Sequence, residues 1–320
     1  MKPTAWRAEE LEEIPCDACK KTESRPLVVR PDGMQVVECV SCGLTYLNPR
    51  PKAELIPRLY DQSYFTKTED NAQLGYSGDY LTAESRAAMI SAGESKLRCL
   101  QPFWQPRGTK CLEVGCSTGE FSHVLKQCGA NPVGVDFSEF AILQARKLYP
   151  GIDFRVGDIE TVGEVSAFEA VVGFELVEHL VSPSRFLKHV HRLLKPGGTL
   201  VLSTPNLDCG KAIGYSKWLG FQTSFEHLYF LDQSTLARLG KPYGLKMQKW
   251  FTGNGNGDVP ARPKPRLVLR TALRSVLDQV GLLGLIRSIR RKRCPQRQKP
   301  GFAVEGRQHT LLAVMRKLGA

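Results

Sequence analysis

The sequence predicts a doubly wound α/β domain on a largely parallel sheet. A small cysteine module precedes it, and a basic helical insertion comes before its last strand. Three observations carry this expectation. From residue 110 to 204, short apolar segments alternate with amphipathic ones, the pattern of a sheet covered by helices on both faces. The first apolar segment runs into a glycine-bearing turn, Gly115-Cys-Ser-Thr-Gly119, from which a helix starts. Two Cys-x-x-Cys pairs lie ahead of everything else.

The cysteine pairs are Cys16/Cys19 and Cys39/Cys42. Their spacing matches a structural zinc site, in which two tight turns bring four thiolates to one tetrahedral ion. Between them, Leu27 to Glu38 reads as strand, Asp32-Gly33 turn and strand, so residues 1–60 are expected to form a zinc ribbon. Residues 61–105 follow as a helical linker, with helical apolar spacing over 81–101. Pro102, Pro106 and Gly108 mark its end.

The main domain is expected over 106–254 and 309–320. Its strands are Lys110–Gly115, Pro132–Phe137, Asp153–Val156, Ala170–Phe174 and Thr199–Thr204, separated by helices over Glu120–Cys128, Ser138–Leu148 and Pro183–Leu194. Ser138 is a natural N-cap, and Ser182-Pro183 combines an N-cap with a proline at the first helical position. Lys195-Pro-Gly-Gly198 stops the last of these helices. Ligands of such sheets bind beyond the carboxyl ends of the strands, which singles out the acids there. Glu113 closes strand one. Asp136 closes strand two and suits a ribose diol, with Phe137 beside it to pack on a base. Asp158 follows strand three and suits an exocyclic amine. A nicotinamide site competes for the same turn, but Gly-x-Gly-x-x-Gly is not met.

In these residues the chain resembles the class I S-adenosylmethionine-dependent methyltransferases. The matching pieces are Glu113-Val-Gly-Cys-Ser-Thr-Gly119, Val133-Gly-Val-Asp136, Gly157-Asp158, Phe168 to His179 and Leu193 to Asn206. The resemblance implies a seven-stranded, Rossmann-like sheet, completed by a sixth strand at Leu245–Thr252 and an antiparallel seventh at His309–Arg316. It also implies a cofactor site formed by Glu113, Gly115, Ser117, Gly119, Asp136, Phe137, Asp158, Ile159 and Phe174. Ser117 departs from the family, where many members have glycine.

The zinc ribbon followed by Leu47-Asn-Pro-Arg-Pro51 resembles that of bacterial sugar- and polysaccharide-pathway methyltransferases, the deoxysugar C-methyltransferases among them. The expected acceptor is therefore a sugar or lipid-linked glycan precursor, methylated on carbon or oxygen. Either chemistry needs a base. His227 is the first candidate, with Glu226 and Tyr229 as helpers and His179 lining the cleft. Neighbours on an extended strand point to opposite faces, so Glu226 and His227 share a pocket only if the segment is irregular. RNA methylation is the first alternative, with methylation of another small molecule and a non-catalytic glycan-binding scaffold beside it. Against the first, Phe174-Glu-Leu-Val177 is not an amine-directed motif, and the basic stretch holds one aromatic residue.

Charge is concentrated in that stretch. Residues 255–308 hold 13 Arg/Lys against 3 Asp/Glu, in a chain of net charge +12. Residues 266–280 place Leu269, Leu273, Val276, Leu277 and Val280 on one helical face beside Arg266, Arg270 and Arg274. A basic amphipathic helical hairpin over 262–299 suits an anionic membrane surface or a lid packed on the main domain with a solvated basic edge; nucleic acid is the less favoured partner. With no apolar leader at the start, ten cysteines and no long apolar run, the expected location is cytoplasmic, at most peripheral at the inner membrane face.

Overall fold

A computed structural model describes residues 6–60, 65, 80–253 and 310–319. The expected basic insertion lies outside these residues, as does most of the stretch between 61 and 79.

The cysteine module contains β1 (Leu11–Glu12), β2 (Ser24–Val29), β3 (Gln35–Cys39), β4 (Thr45–Leu47) and β5 (Arg50–Pro51). β1 pairs with β5. β2 and β3 form the expected hairpin, turning where Gly33 takes φ +83°, a conformation glycine adopts freely. Next comes α1 (Ala83–Leu100), whose N-cap Thr82 accepts from the Ser85 N–H at 3.2 Å.

The main domain runs β6 (Lys110–Val114), α2 (Glu120–Gln127), β7 (Asn131–Asp136), α3 (Glu139–Leu148), β8 (Asp153–Val156), β9 (Phe168–Phe174), α4 (Pro183–Leu193) and β10 (Leu194–Pro205). It continues through α5 (Leu207–Ile213), α6 (Leu219–Gln222), β11 (Tyr229–Phe230), α7 (Gln233–Gly240), β12 (Leu245–Gly253) and β13 (Thr310–Lys317). The expected caps hold: Ser138 accepts from the Ala141 N–H and Ser182 from the Arg185 N–H. Seven strands order as β12-β13-β10-β9-β6-β7-β8, with β13 antiparallel to both neighbours and the other pairs parallel. The strand order reverses between β6 and β9, so their carboxyl ends open the crevice where such sheets bind ligands. One element differs from expectation. Lys195-Pro-Gly-Gly198 lies within β10 as a bulge, its ladder to β9 shifting between Leu194 and Thr199, because Gly197 at φ +72° kinks the strand without breaking it.

Alternate sheet residues face opposite layers. Leu112, Val133, Val171, Leu200 and Leu202 pack with Phe186, Leu187 and Val190 of α4. Cys111, Ala170, Val172 and Val201 pack with Leu97 and Leu100 of α1 and Phe121, Val124 and Leu125 of α2.

The expected ribbon over 1–60 shares a sheet and a core with the main domain. Strand β11 of the main domain completes the module's sheet, in the order β11-β4-β3-β2, with Tyr229 opposite Tyr46 and Phe230 opposite Thr45. The module's Val36, Tyr46 and Leu47 share one continuous core with Trp218, Phe221, Leu228 and Phe230. A module this small cannot bury a sufficient core alone, so it borrows one.

Asp232 starts α7 directly after β11 and so anchors that strand. Its Oδ1 accepts from the Thr235 N–H at 2.8 Å, and Lys211 Nζ donates to Oδ2 at 2.5 Å. Burial pushes the carboxyl up, but Lys211, the Thr235 N–H and Ser234 outweigh it and bring it down to about 2. Asp232→Ala is expected to cost about 1–2 kcal/mol as a lost cap. A depressed folded-state pKa stabilises above the ordinary carboxylate value of about 3.9 and loses that contribution as pH falls toward 2. The gap in urea midpoint between wild type and variant should therefore narrow from pH 5 to pH 3; a constant gap would refute the assignment.

Candidate functional site

One side of the crevice is built on the turn between β6 and α2. Gly115, Ser117 and Gly119 take φ of +71°, +50° and +91°, so the turn coils through left-handed conformations that aim its N–H groups together. Ser117 is strained there, which explains why glycine suits that position. Asp136, at the end of β7, ties the turn down: its Oδ2 accepts from the Ser117 N–H and its Oδ1 from the Ser138 N–H, both at 2.9 Å. Burial pushes its carboxyl up, against the pull of those two N–H groups. Each oxygen keeps a further lone pair for a ligand hydroxyl.

The other expected cofactor residues separate by role. Glu113 is buried behind the turn, and Ser122 Oγ donates to it at 2.5 Å, fastening α2 to β6; burial pushes its carboxyl up to about 8. Gly119 is required by packing as well as by φ, since a Cβ there would lie 2.6 Å from Phe154 Cζ. Phe137 stands half exposed past β7, its ring edge-on to Tyr60 at 5.3 Å. Asp158 is exposed beyond β8, where its Oδ1 accepts from the Glu160 N–H at 2.9 Å and the Thr161 N–H at 3.2 Å. That oxygen closes a turn, the ordinary task of an acid after a strand. Ile159 is buried in the core. Phe174 ends β9 against Phe121, its ring centroid 4.3 Å from Lys96 Nζ.

The other side of the crevice is a buried cluster where two Glu-His pairs meet. Glu178-His179 lies after β9 and Glu226-His227 before β11. The Glu178 carbonyl accepts from the N–H groups of Leu228 and Tyr229, at 2.8 and 3.1 Å, and holds the segments side by side. Residues 224–228 are irregular, so the side chains of Glu226 and His227 converge, with Oε1 and Nε2 3.7 Å apart. The His179 and His227 rings meet edge-on at 4.6 Å. Burial drives every group toward its neutral form. His179 is pushed down to about 4, against the opposing pull of the Glu226 backbone, and Glu226 is pushed up to about 7. His227 falls well below the usual imidazole range through burial, His179 and Arg30, and Glu178 rises well above the carboxylate range.

Tyr229 requires a correction. Its hydroxyl donates to the Val181 carbonyl at 3.2 Å and lies 3.4 Å from Arg50 Nη1, while its ring stacks on Tyr46. Pairing of β11 with β4 turns it toward the cysteine module, away from the Glu-His pocket.

Four residues outside the expected site set also stand here. Tyr60 hydrogen-bonds His179 Nδ1 at 2.7 Å; its signal was the Tyr-rich stretch 59–65. Glu178 stands beside the recognised His179. Lys96 faces the crevice from α1, where burial lowers its pKa against Glu175, Glu113 and Glu178. Arg30 is fully buried, paired with Asp32 at 2.5 Å, and donates to the carbonyls of Phe225 and His227 at 3.0 Å each. Nothing local in the sequence marks the last two.

The four module cysteines converge as expected, their sulfurs all within 4.8 Å of one another and Cys16–Cys42 and Cys19–Cys39 at 3.4 and 3.5 Å. A tetrahedral zinc thiolate has S–S edges of about 3.8 Å, so the set fits a structural ion. Burial, with the neighbouring thiols adding to it, pushes the Cys16 and Cys42 thiols up, a penalty a bound cation would remove. The cluster also reaches the main domain. Asp17, between two of the cysteines, accepts from the Ser184 N–H at 2.7 Å, and from Ser182 Oγ and Ser184 Oγ at 2.7 and 2.8 Å, at the first turn of α4.

Residues 87–249 match the family described as a methyltransferase domain. A Mycolicibacterium smegmatis protein named "Probable S-adenosylmethionine-dependent methyltransferase" is 27% identical over 175 residues, covering 53% of this chain and 66% of its own. A ubiquinone biosynthesis O-methyltransferase of Bradyrhizobium diazoefficiens is 37% identical over 103 residues, 31% of this chain and 41% of its own. The chain thus spans from about two fifths to about two thirds of these two relatives. Among solved structures, an S-adenosylmethionine-dependent methyltransferase of Mesorhizobium loti aligns at 16% identity over 71% of this chain and 99% of its own, with a TM-score of 0.46. Among the described residues no helix is long and apolar enough to cross a membrane.

Proposed function

The chain belongs to the family of methyltransferase domains, and from that premise we propose that it moves a methyl group from S-adenosylmethionine to a sugar or glycan precursor, with a structural zinc ion on Cys16, Cys19, Cys39 and Cys42. One observation carries the reading. Tyr60 touches Phe137 on the donor side and hydrogen-bonds His179 on the acceptor side, so one aromatic ring spans the gap that a methyl group has to cross. The Gly115–Gly119 turn and Asp136 hold the donor. Lys96 brings a positive charge near the turn, which suits the carboxylate of the donor's amino-acid end. A pocket lined by two carboxyls and two imidazoles suits a polyhydroxylated acceptor. O-methyltransferases among the relatives favour oxygen as the methylated atom.

In that reaction the acceptor oxygen attacks the methyl carbon in line with the sulfur. The carbon–sulfur bond breaks, and its electron pair stays on sulfur. The hydroxyl proton passes to the Glu226–His227 pair. The protein's task is alignment and proton removal. Calorimetry should detect S-adenosylmethionine binding to wild type and a loss of at least about tenfold in Asp136→Ala, since a bidentate contact to the ribose is worth more than about 1.4 kcal/mol. A labelled-methyl screen over nucleotide sugars, lipid-linked sugars and a quinol then identifies the acceptor. His227→Ala should keep donor affinity and lose roughly 10²–10⁴ in rate. Absence of donor binding would reject the reading, and transfer to the quinol alone would reject its sugar part.

A further inference from the structure

Glu178, His179 and His227 form a second group of ligand-type side chains, distinct from the cysteines, with one ligand atom from each within 4.8 Å of the others. The group is buried and poorly satisfied. Glu178 is 1% exposed, Glu226 5% and His227 3%. Both carboxylate oxygens of Glu178, both of Glu226 and Nδ1 of His227 meet no hydrogen-bond partner of good geometry among the described residues, and the Thr204 hydroxyl near Glu178 only partly offsets its burial. Five such atoms in one small pocket is unusual, because a buried polar atom normally finds a partner. The nearby cation does not resolve it: Arg30 spends its guanidinium on Asp32 and on backbone carbonyls.

We propose that this pocket holds a divalent transition-metal ion on Glu178, His179 and His227. Two imidazoles and a carboxylate suit Zn²⁺, Mn²⁺, Fe²⁺ or Co²⁺ and are a poor match for Mg²⁺ or Ca²⁺, which prefer all-oxygen shells. Tyr60 supplies the supporting contact. Its hydroxyl at 2.7 Å from His179 Nδ1 engages that nitrogen, so the ion takes Nε2, which faces Glu178 Oε1 at 3.8 Å and exchanges its pull toward the Glu226 backbone for the metal. Ligands at about 2.0–2.2 Å from one ion lie about 3–3.5 Å apart, so the three close by about an ångström through side-chain rotation. A three-ligand site keeps positions open for the acceptor.

The inference rests on the reading of this pocket as the acceptor site and refines it. The ion takes an acceptor that offers two neighbouring oxygens and polarises the hydroxyl to be methylated. His227 becomes a ligand, and the hydroxyl proton goes to Glu226 beside it. The oxygen then attacks the methyl carbon as before, with the electron pair leaving on sulfur.

Metal content of the full chain tests this without an acceptor. After loading with Zn²⁺ and gel filtration, wild type should carry two equivalents by plasma mass spectrometry. His179→Ala and His227→Ala should each carry one. Co²⁺ loaded into wild type should add d–d bands that both histidine variants lack, over a sulfur-to-metal charge transfer common to all three proteins. Glu178→Gln keeps size and shape; it should bind S-adenosylmethionine normally and still lose the second equivalent. One equivalent in wild type, or two in both histidine variants, would overturn the site. Two equivalents with no donor binding would reject the methyltransferase reading and leave the metal site standing. One equivalent with normal methyl transfer would do the reverse.

Discussion

Cys39→Ser is expected to unfold the cysteine module and to disorganise the acceptor pocket, while the donor turn keeps its shape. Zinc binding to four cysteines contributes roughly 10–16 kcal/mol in small zinc peptides at neutral pH, more than the stability of most domains. Loss of that ion therefore removes the reason for residues 24–51 to stay folded. The damage travels along bonds already described. Asp17 leaves the first turn of α4, Arg50 Nη1 leaves the Val181 carbonyl, and β4 leaves β11. His179 and His227 sit in the segments so released. The donor turn hangs on β6, β7 and Asp136 and makes none of these contacts. Hydrogen exchange should show protection falling at 24–51, at 182–186 and at 226–230, with protection at 110–136 retained. Calorimetry should return an S-adenosylmethionine affinity close to wild type. Unchanged protection at Ser184 and Leu228 would show that the module does not support the pocket.

Arg30→Met carries the second large effect. The Arg30 and Asp32 side chains are 0% and 2% exposed. Breaking a buried pair by removing one partner costs about 3–5 kcal/mol, because the remaining charge is uncompensated. The carbonyls of Phe225 and His227 lose their donor in the same step. Urea unfolding should register that loss. Arg30→Met combined with Asp32→Asn should recover a large part of it, since no charge is then stranded. A single variant within about 1 kcal/mol of wild type, the range of an exposed pair, would mean that the pair is solvated and does not hold the segment bearing His227.

Particular residues show how far the sequence could be read. Gly115, Gly119 and Asp136 were legible because turn geometry and strand ends are local properties. The cysteines were legible because metal spacing is local too. Ser117 was rightly noted as a departure, and its positive φ gives the reason. Gly119 was noted for the turn, yet its second constraint is Phe154 of β8, and only the folded sheet brings those residues together. Asp158 matched its expected position, with one oxygen already engaged in a turn. Tyr229 was expected to help the base; its hydroxyl meets Val181 and Arg50, because its strand pairs with β4, about 180 residues earlier in the chain. Glu226 and His227 were expected to share a pocket only if their segment is irregular, and the irregular backbone before β11 brings them together.

The sequence by itself determined the doubly wound sheet, its strand order in the chain, the donor turn and the four-cysteine cluster. Each of these is written in short-range periodicity, in glycine conformation or in ligand spacing. Only the tertiary structure decided that the cysteine module and the main domain share a sheet and a core, and that Tyr60, Glu178, His179, Glu226 and His227 form one pocket. The physical reason is that such a pocket is a sum of long-range pairings: the Glu178 carbonyl to Leu228, β11 to β4, and Arg30 to the 225–227 backbone. None of these pairings leaves a local mark on either partner.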